Sequence, residues 1–155
     1  MDHGRLVQVD SPRTLYENPK NRFVADFLGM ISFVEGRVTQ ATSTAMVIDS
    51  TPPITAAIDH RRGLASQPEK GAQVTLAIRP EKISLSAVAT GAVNEIPVIV
   101  EDLAYLGVAS NYRVKTADGQ MFKLQQQQSR RASKPLEWGD AGFIQFDPAD
   151  VIILP

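Results

Sequence analysis

The sequence predicts a mainly β protein, an all-β barrel or sandwich running from about residue 30 to the end, with a short helical segment in front of it. Three observations carry this reading. From Phe33 onward apolar residues recur at every second position, as in Val74, Leu76 and Ile78, which is the period of half-buried strands. These runs are short and closely spaced, with turn chemistry such as Pro52-Pro53, Asp118-Gly119 and Asp147-Pro148 between them. Before residue 30 the spacing changes: Phe23, Val24, Phe27 and Leu28 fall on one stripe of a helix.

Each element can be placed in order. A short strand fits "RLVQV". Ser11 before Pro12 is an N-cap followed by a proline at the first helical position, and "RTLYE" continues that helix until Asn18-Pro19 stops it. A second helix fits "PKNRFVADFLG", with its apolar stripe facing a core and Gly29 ending it. Strands follow at "FVEGRVT" and "AMVID", then a break at Pro52-Pro53, a weaker strand near "TAAID", and a loop over "HRRGLASQPEKGA" with Arg61 and Arg62 in solvent. "VTLAI" and "ISLS" are strands about an Arg79-Pro80-Glu81 corner. The long extended run "VNEIPVIVEDLAYLG" contains Pro97, which cannot donate to a ladder and so argues for an edge or a bend. "NYRVKT" and "MFKLQQ" flank "ADG" as a hairpin, with Tyr112 and Val114 facing Phe122 and Leu124. "QQQQSRRASKP" reads as a polar loop, and "GFIQFDPADVIILP" as two short strands about Asp147-Pro148.

At 155 residues the chain has room for one domain, or one domain with a short appended segment. A net charge of -1 argues against binding driven by phosphate neutralisation. The absence of cysteine removes disulfides and thiol chemistry and fits a reducing cytosol. No Gly-Lys dipeptide occurs, so there is no phosphate-binding P-loop, and the only histidines, His3 and His60, lie far apart in the chain. No apolar run approaches the roughly 20 residues of a membrane span, and the start lacks a secretory signal. The carboxylate pairs Glu101-Asp102 and Asp147/Asp150 read as solvated surface, because adjacent acids on a strand point to opposite faces. No catalytic, cofactor-binding or metal-ligating set is expected in these residues.

The remaining candidates are structural or interfacial. A residue before proline is extended, and proline presets φ for a turn, so Arg79-Pro80-Glu81 is read as a corner whose exposed charged pair ties barrel elements together. Such a pair alone is worth only ~0–1 kcal/mol. Tyr105, Leu106 and Gly107 are a strand end and turn, Gly107 supplying permissive backbone. Trp138, next to Gly139, is either an interface anchor or a core residue.

Taken together, these residues resemble a known family. "GRLVQVDSPRTLYENPKNRFVADFLG" resembles the end of the nucleotide-binding domain of ABC importer ATPases. "FVEGRV", "LAIRPEKISL", "YLG" and "WGDAGFIQFDPADVIIL" resemble the TOBE regulatory domain that follows it, an OB-like barrel related to the MOP-like molybdate-binding barrels. The pieces occur in the family's order and spacing across essentially the whole chain. "YENPKNRFVADFLG", the "AYLG…YRV…DGQMF" hairpin and "LEWGD" are most similar to ATPases of putrescine and spermidine importers, while iron, phosphonate and sugar importers share much of the pattern. Two departures stand out: Asp10-Ser11-Pro12-Arg13-Thr14 where the family more often has Gly-Thr-Pro-Glu-Glu, and "QQQQSRRAS", which has no family template.

The resemblance implies two parts, residues 1–29 as the helical tail of a nucleotide-binding domain and residues 30–155 as the barrel. It implies a non-catalytic regulatory and dimerisation role, with a homodimer formed through the barrel. ATP and Mg²⁺ would belong to the full-length ATPase, whose nucleotide motifs would lie upstream of "MDHG"; His3 is not its switch histidine. Partners would be the nucleotide-binding domain of the same chain and membrane permease subunits, at the cytoplasmic face of the plasma membrane. Under this reading the Arg79-Pro80-Glu81 corner could instead face a sister subunit or the nucleotide-binding domain. A polyamine could bind acids drawn from Glu81, Glu95, Glu101 and Asp102 if the fold brings them together; an oxyanion is a weaker alternative. A nucleic-acid-binding OB fold would need aromatic platforms in a basic groove, with Arg61-Arg62 and Arg130-Arg131 as its cations, and no nucleic acid is expected.

Overall fold

In the computed structural model, residues 3–58, 67–127 and 135–154 are described. Two short helices come first, α1 (Pro12–Glu17) and α2 (Arg22–Phe27). Ten strands follow among the described residues: β1 (Ser32–Ala41), β2 (Ala45–Asp49), β3 (Ile54–Ala57), β4 (Gln73–Ile78), β5 (Ser84–Ser86), β6 (Asn94–Leu106), β7 (Ala109–Lys115), β8 (Met121–Gln127), β9 (Ala141–Phe146) and β10 (Ile152–Leu154). They form two antiparallel five-stranded sheets, in the orders β10-β4-β1-β2-β3 and β5-β9-β6-β7-β8. The inner faces enclose one core, as the OB-like barrel predicted from the sequence requires.

Alternation builds that core. Val34, Val38, Met46, Ile48, Leu76 and Ile78 enter from the first sheet; Ile96, Val98, Val100, Val114, Phe122 and Ile144 enter from the second. The predicted hairpin pairing is observed, Tyr112 opposite Leu124 and Val114 opposite Phe122, with Gly119 at positive φ closing the turn. The chain changes sheet twice by the same device. A residue with extended backbone precedes a proline, and the proline opens a short 3-10 helix: Arg79 before Pro80–Lys82, between β4 and β5, and Asp147 before Pro148–Asp150, between β9 and β10. Lys82 Nζ and Asp150 Oδ1, 3.0 Å apart, join the two corners.

A smaller apolar cluster lies outside the barrel, where Ala25 and Ile31 pack on Ala77, Ile152 and Leu154. The first helix begins as predicted, with Ser11 Oγ accepting the Thr14 N–H, and Asn21 caps the second in the same way. Gly29, at φ 128°, follows its last turn.

Three readings need correction. "RLVQV" is no strand: Arg5 makes an isolated bridge, and the segment is held by Gln8, whose side chain donates to Asn18 O and accepts from Lys20 N. The stripe on the second helix does not turn inward as a whole. Val24 and Ala25 are buried, whereas Phe23 and Phe27 stack on each other at 6.2 Å on the outside, Phe27 76% exposed. Gln125–Gln127 are the end of β8 and not a loop, because Asn111, Ser110 and Ala109 of β7 supply ladder partners. The edge reading of Pro97 holds locally, because it pairs with Phe143 of β9 while β7 does not yet flank it. The proline is tolerated because Val100 turns its N–H and C=O to the β9 side, which aims the odd-numbered Pro97 the other way, and pairing with β7 starts only at Ile99. Arg61, Arg62, Arg130 and Arg131 lie outside the described residues.

Candidate functional site

The Arg79-Pro80-Glu81 corner is a corner, as predicted, but its charges are not an exposed pair. Arg79 is only 3% exposed. Its Nη1 donates to Ala25 O at 3.3 Å and its Nη2 to Tyr16 O at 3.1 Å. The guanidinium carbon sits 4.0 Å from the centre of the Tyr16 ring, a cation–π contact. Tyr16 Oη donates to Glu81 Oε1, so arginine and glutamate meet through the tyrosine between them. Burial pushes the Arg79 guanidinium below the usual arginine range, opposed by Tyr16 and Glu81. Tyr16 is pushed up, first by burial and then by its bond to Glu81.

Tyr105, Leu106 and Gly107 end β6 as expected. Leu106 pairs with Ala109 across a two-residue Gly107-Val108 turn, and Gly107 takes φ 70°, which glycine reaches without strain. Tyr105 and Leu106 are more than half exposed, and Val108, an apolar residue the sequence reading passed over, is 84% exposed. Trp138 is 76% exposed, which excludes the core alternative. Its turn is pinned to the barrel by the Gly139 N–H, which donates to Val100 O at 2.8 Å. The last β6–β9 pair joins Ile99 to Ala141, so residues 101–106 project past β9, with Trp138 near their root and Val108 at their tip.

The four acids are not brought together. Glu81 is engaged with Tyr16. Glu95 accepts from Thr90 N and Oγ1, Gly91 N and Gln145 Nε2; the Thr90 amide above all holds its carboxyl below the usual glutamate range. Asp102 caps the N–H of Leu103 beside a bulge in β6. Glu101 borders an open, mostly apolar groove of about 480 Å³ that also includes Pro97, Ile99, Lys115 and Phe143. Glu95 and Glu101 lie six residues apart on one strand, about 20 Å in extended chain. Among the described residues no group of three or more His, Asp or Glu side chains could hold a metal ion.

Sequence reasoning missed Tyr16 and Asn94. Asn94 is buried at the start of β6, and its side chain accepts from Thr55 N and donates to Thr55 O, both at 2.8 Å, closing the barrel between β3 and β6. Neither residue has a local sequence signal, since their partners are 65 and 39 positions away.

Comparison with known proteins adds three findings. Residues 76–154, half of the chain, match the TOBE domain. The chain is 33% identical over 154 residues to the spermidine/putrescine import ATP-binding protein PotA of Rubrobacter xylanophilus, covering 99% of this chain and 39% of that protein. It is 38% identical over 122 residues to PotA 1 of Pseudomonas aeruginosa (79% and 31% covered) and 32% identical over 160 residues to the putrescine transport ATP-binding protein PotG of Escherichia coli (99% and 41%). The chain thus spans about two fifths or less of the length of these relatives. The cytoplasmic molybdate-binding protein ModG has a similar structure, with TM-score 0.67 at 14% identity over 79% of this chain and 95% of ModG, a likeness of fold alone.

Proposed function

The chain belongs to the TOBE domain family, and on that premise we propose that it is the non-catalytic regulatory and dimerisation part of an ATP-binding subunit in an ABC importer for spermidine or putrescine. The observation that carries this is the length of the match: proteins named as polyamine import ATP-binding subunits align with the helical segment as well as the barrel. Residues 1–29 are then the tail of a nucleotide-binding domain and residues 30–155 the regulatory barrel. ATP and Mg²⁺ bind elsewhere in the longer protein, permease subunits are its membrane partners, and it works at the cytoplasmic face of the membrane.

The barrel contributes by association. Two copies paired about a twofold axis keep two ATPase subunits tethered while their nucleotide sites open, so that re-closure is intramolecular. Tyr105, Leu106, Val108 and Trp138 supply exposed aromatic and aliphatic surface of the kind that anchors such contacts. Sedimentation equilibrium of the chain tests this, with Trp138 emission as a second readout. We expect a dimer in the micromolar range that Leu106→Asp or Trp138→Ala weakens, and a blue shift of the tryptophan emission as concentration rises. A chain that stays monomeric at every accessible concentration overturns the dimerisation role. Loss of spermidine and putrescine uptake on deleting the protein tests the substrate; intact polyamine uptake refutes it.

A further inference from the structure

We propose that Arg79, Tyr16 and Glu81 form a releasable clamp that couples the helical segment 11–29 to the barrel and lets that segment open as a unit while the barrel stays folded. The regulatory meaning of the clamp, a joint between barrel and ATPase, rests on the function proposed above; the clamp itself does not.

Four observations support it. First, the two helices have six residues each, too short to persist alone, so their order depends on what holds them. Second, one side chain from the barrel holds both. Tyr16 O and Ala25 O belong to the last turns of α1 and α2, where carbonyls lack helical partners, and Arg79 satisfies one in each. Third, Tyr16 is gripped from two sides of the same corner, its ring by Arg79 and its hydroxyl by Glu81. Fourth, little else buries the segment. Between residues 11 and 29 only Pro19, Val24 and Ala25 are buried, Phe23 and Phe27 face outward, and the tie of Arg22 to Glu35 at 2.9 Å, with Arg22 over the Phe33 ring, is solvent-exposed.

The clamp is built to let go. Arg79 Nε is buried without a hydrogen-bond partner among the described residues, so the desolvation of the guanidinium is incompletely offset. Opening returns that cation to water and uncovers the small cluster in which Ala25 packs with Ile31, Ala77, Ile152 and Leu154. A weakly buried segment beside a fully packed core is the pattern of a separately opening unit.

Residue-resolved amide hydrogen exchange on the chain tests the clamp, without nucleotide or transporter. The probes are Leu15, Asn18 and Ala25 in the helices, whose N–H groups bond to Ser11 O, Thr14 O and Asn21 O, against the ladder amides of β4 and β9. Arg79→Gln removes charge-assisted bonds, so exchange at the helical probes should accelerate on the order of 10–100-fold, with the barrel amides changing less than about 2-fold. Tyr16→Ala leaves the barrel corner untouched, keeps the test valid if Arg79→Gln fails to fold, and should accelerate Ala25 although it lies in the other helix. Tyr16→Phe, losing only the bond to Glu81, should do so by a smaller factor. Unchanged helical exchange in Tyr16→Ala, or barrel amides that accelerate as much as the helical ones in either large substitution, overturns the clamp. Faster helical exchange with unaltered ATP hydrolysis by the longer protein carrying Tyr16→Ala would leave the clamp standing and refute its regulatory reading.

Discussion

Asn94 should be the most sensitive polar position in the barrel. Its buried carboxamide acts as a one-residue strand beside β3, since Oδ1 accepts the Thr55 N–H and Nδ2 donates a hydrogen bond to Thr55 O. Thr55 also pairs with Val47 of β2, and on the other side of β3 this carboxamide is the link across to the second sheet. Asn94→Ala removes two hydrogen bonds and leaves an amide and a carbonyl without partners, each costing about 1–3 kcal/mol where water enters poorly. Part of that is recovered if a water enters the gap, so a loss of ~2–4 kcal/mol is expected in urea unfolding with an unchanged slope. Asn94→Asp sharpens the test. Its carboxylate can accept from Thr55 N but opposes Thr55 O with a second oxygen, and burial raises its folded pKa above the unfolded value. Charging then disfavours folding, so the penalty relative to the parent chain is greatest above that folded pKa. It should shrink as pH falls toward about 4, where a protonated carboxyl can donate as the amide did. An Asn94→Ala cost below ~0.5 kcal/mol, or an Asn94→Asp penalty that does not change with pH, would refute the sheet-bridging role.

Two further outcomes follow from the geometry. Gly36 lies where β1 crosses close to β2, and a Cβ there would sit 2.4 Å from Ile48 Cγ2 and 3.0 Å from Asp49 O. Gly36→Ala should therefore cost about 1–3 kcal/mol by overpacking, read as a lowered thermal midpoint, and an unchanged midpoint would contradict the close approach. Glu95 has its folded pKa depressed by the Thr90 amide, so its contribution is fully present above the ordinary glutamate range and disappears as pH falls through the folded value. Glu95→Gln should accordingly lower the melting temperature at pH 7, and the difference should shrink as pH falls through the acid range; an equal difference at neutral and acid pH would be inconsistent with that sign.

The strands could be read from residue order because alternation is a local property. Val74, Leu76 and Ile78 need only the pleat to share a face, and the Asp118-Gly119 turn sets the register that puts Val114 opposite Phe122. The Ser11-Pro12 helix start and the two proline corners are local for the same reason: each depends on φ restriction and a side chain within a few residues. Periodicity could not say which apolar residues would find cover. Phe27 and Trp138 carry the composition of core residues, yet no segment of the described chain folds over them, while the charged Arg79 is enclosed because two helix ends, 54 and 63 positions away, close on it. Burial and pairing across such separations are set by how the sheets and helices meet in space, and short-range patterns carry no information about that meeting.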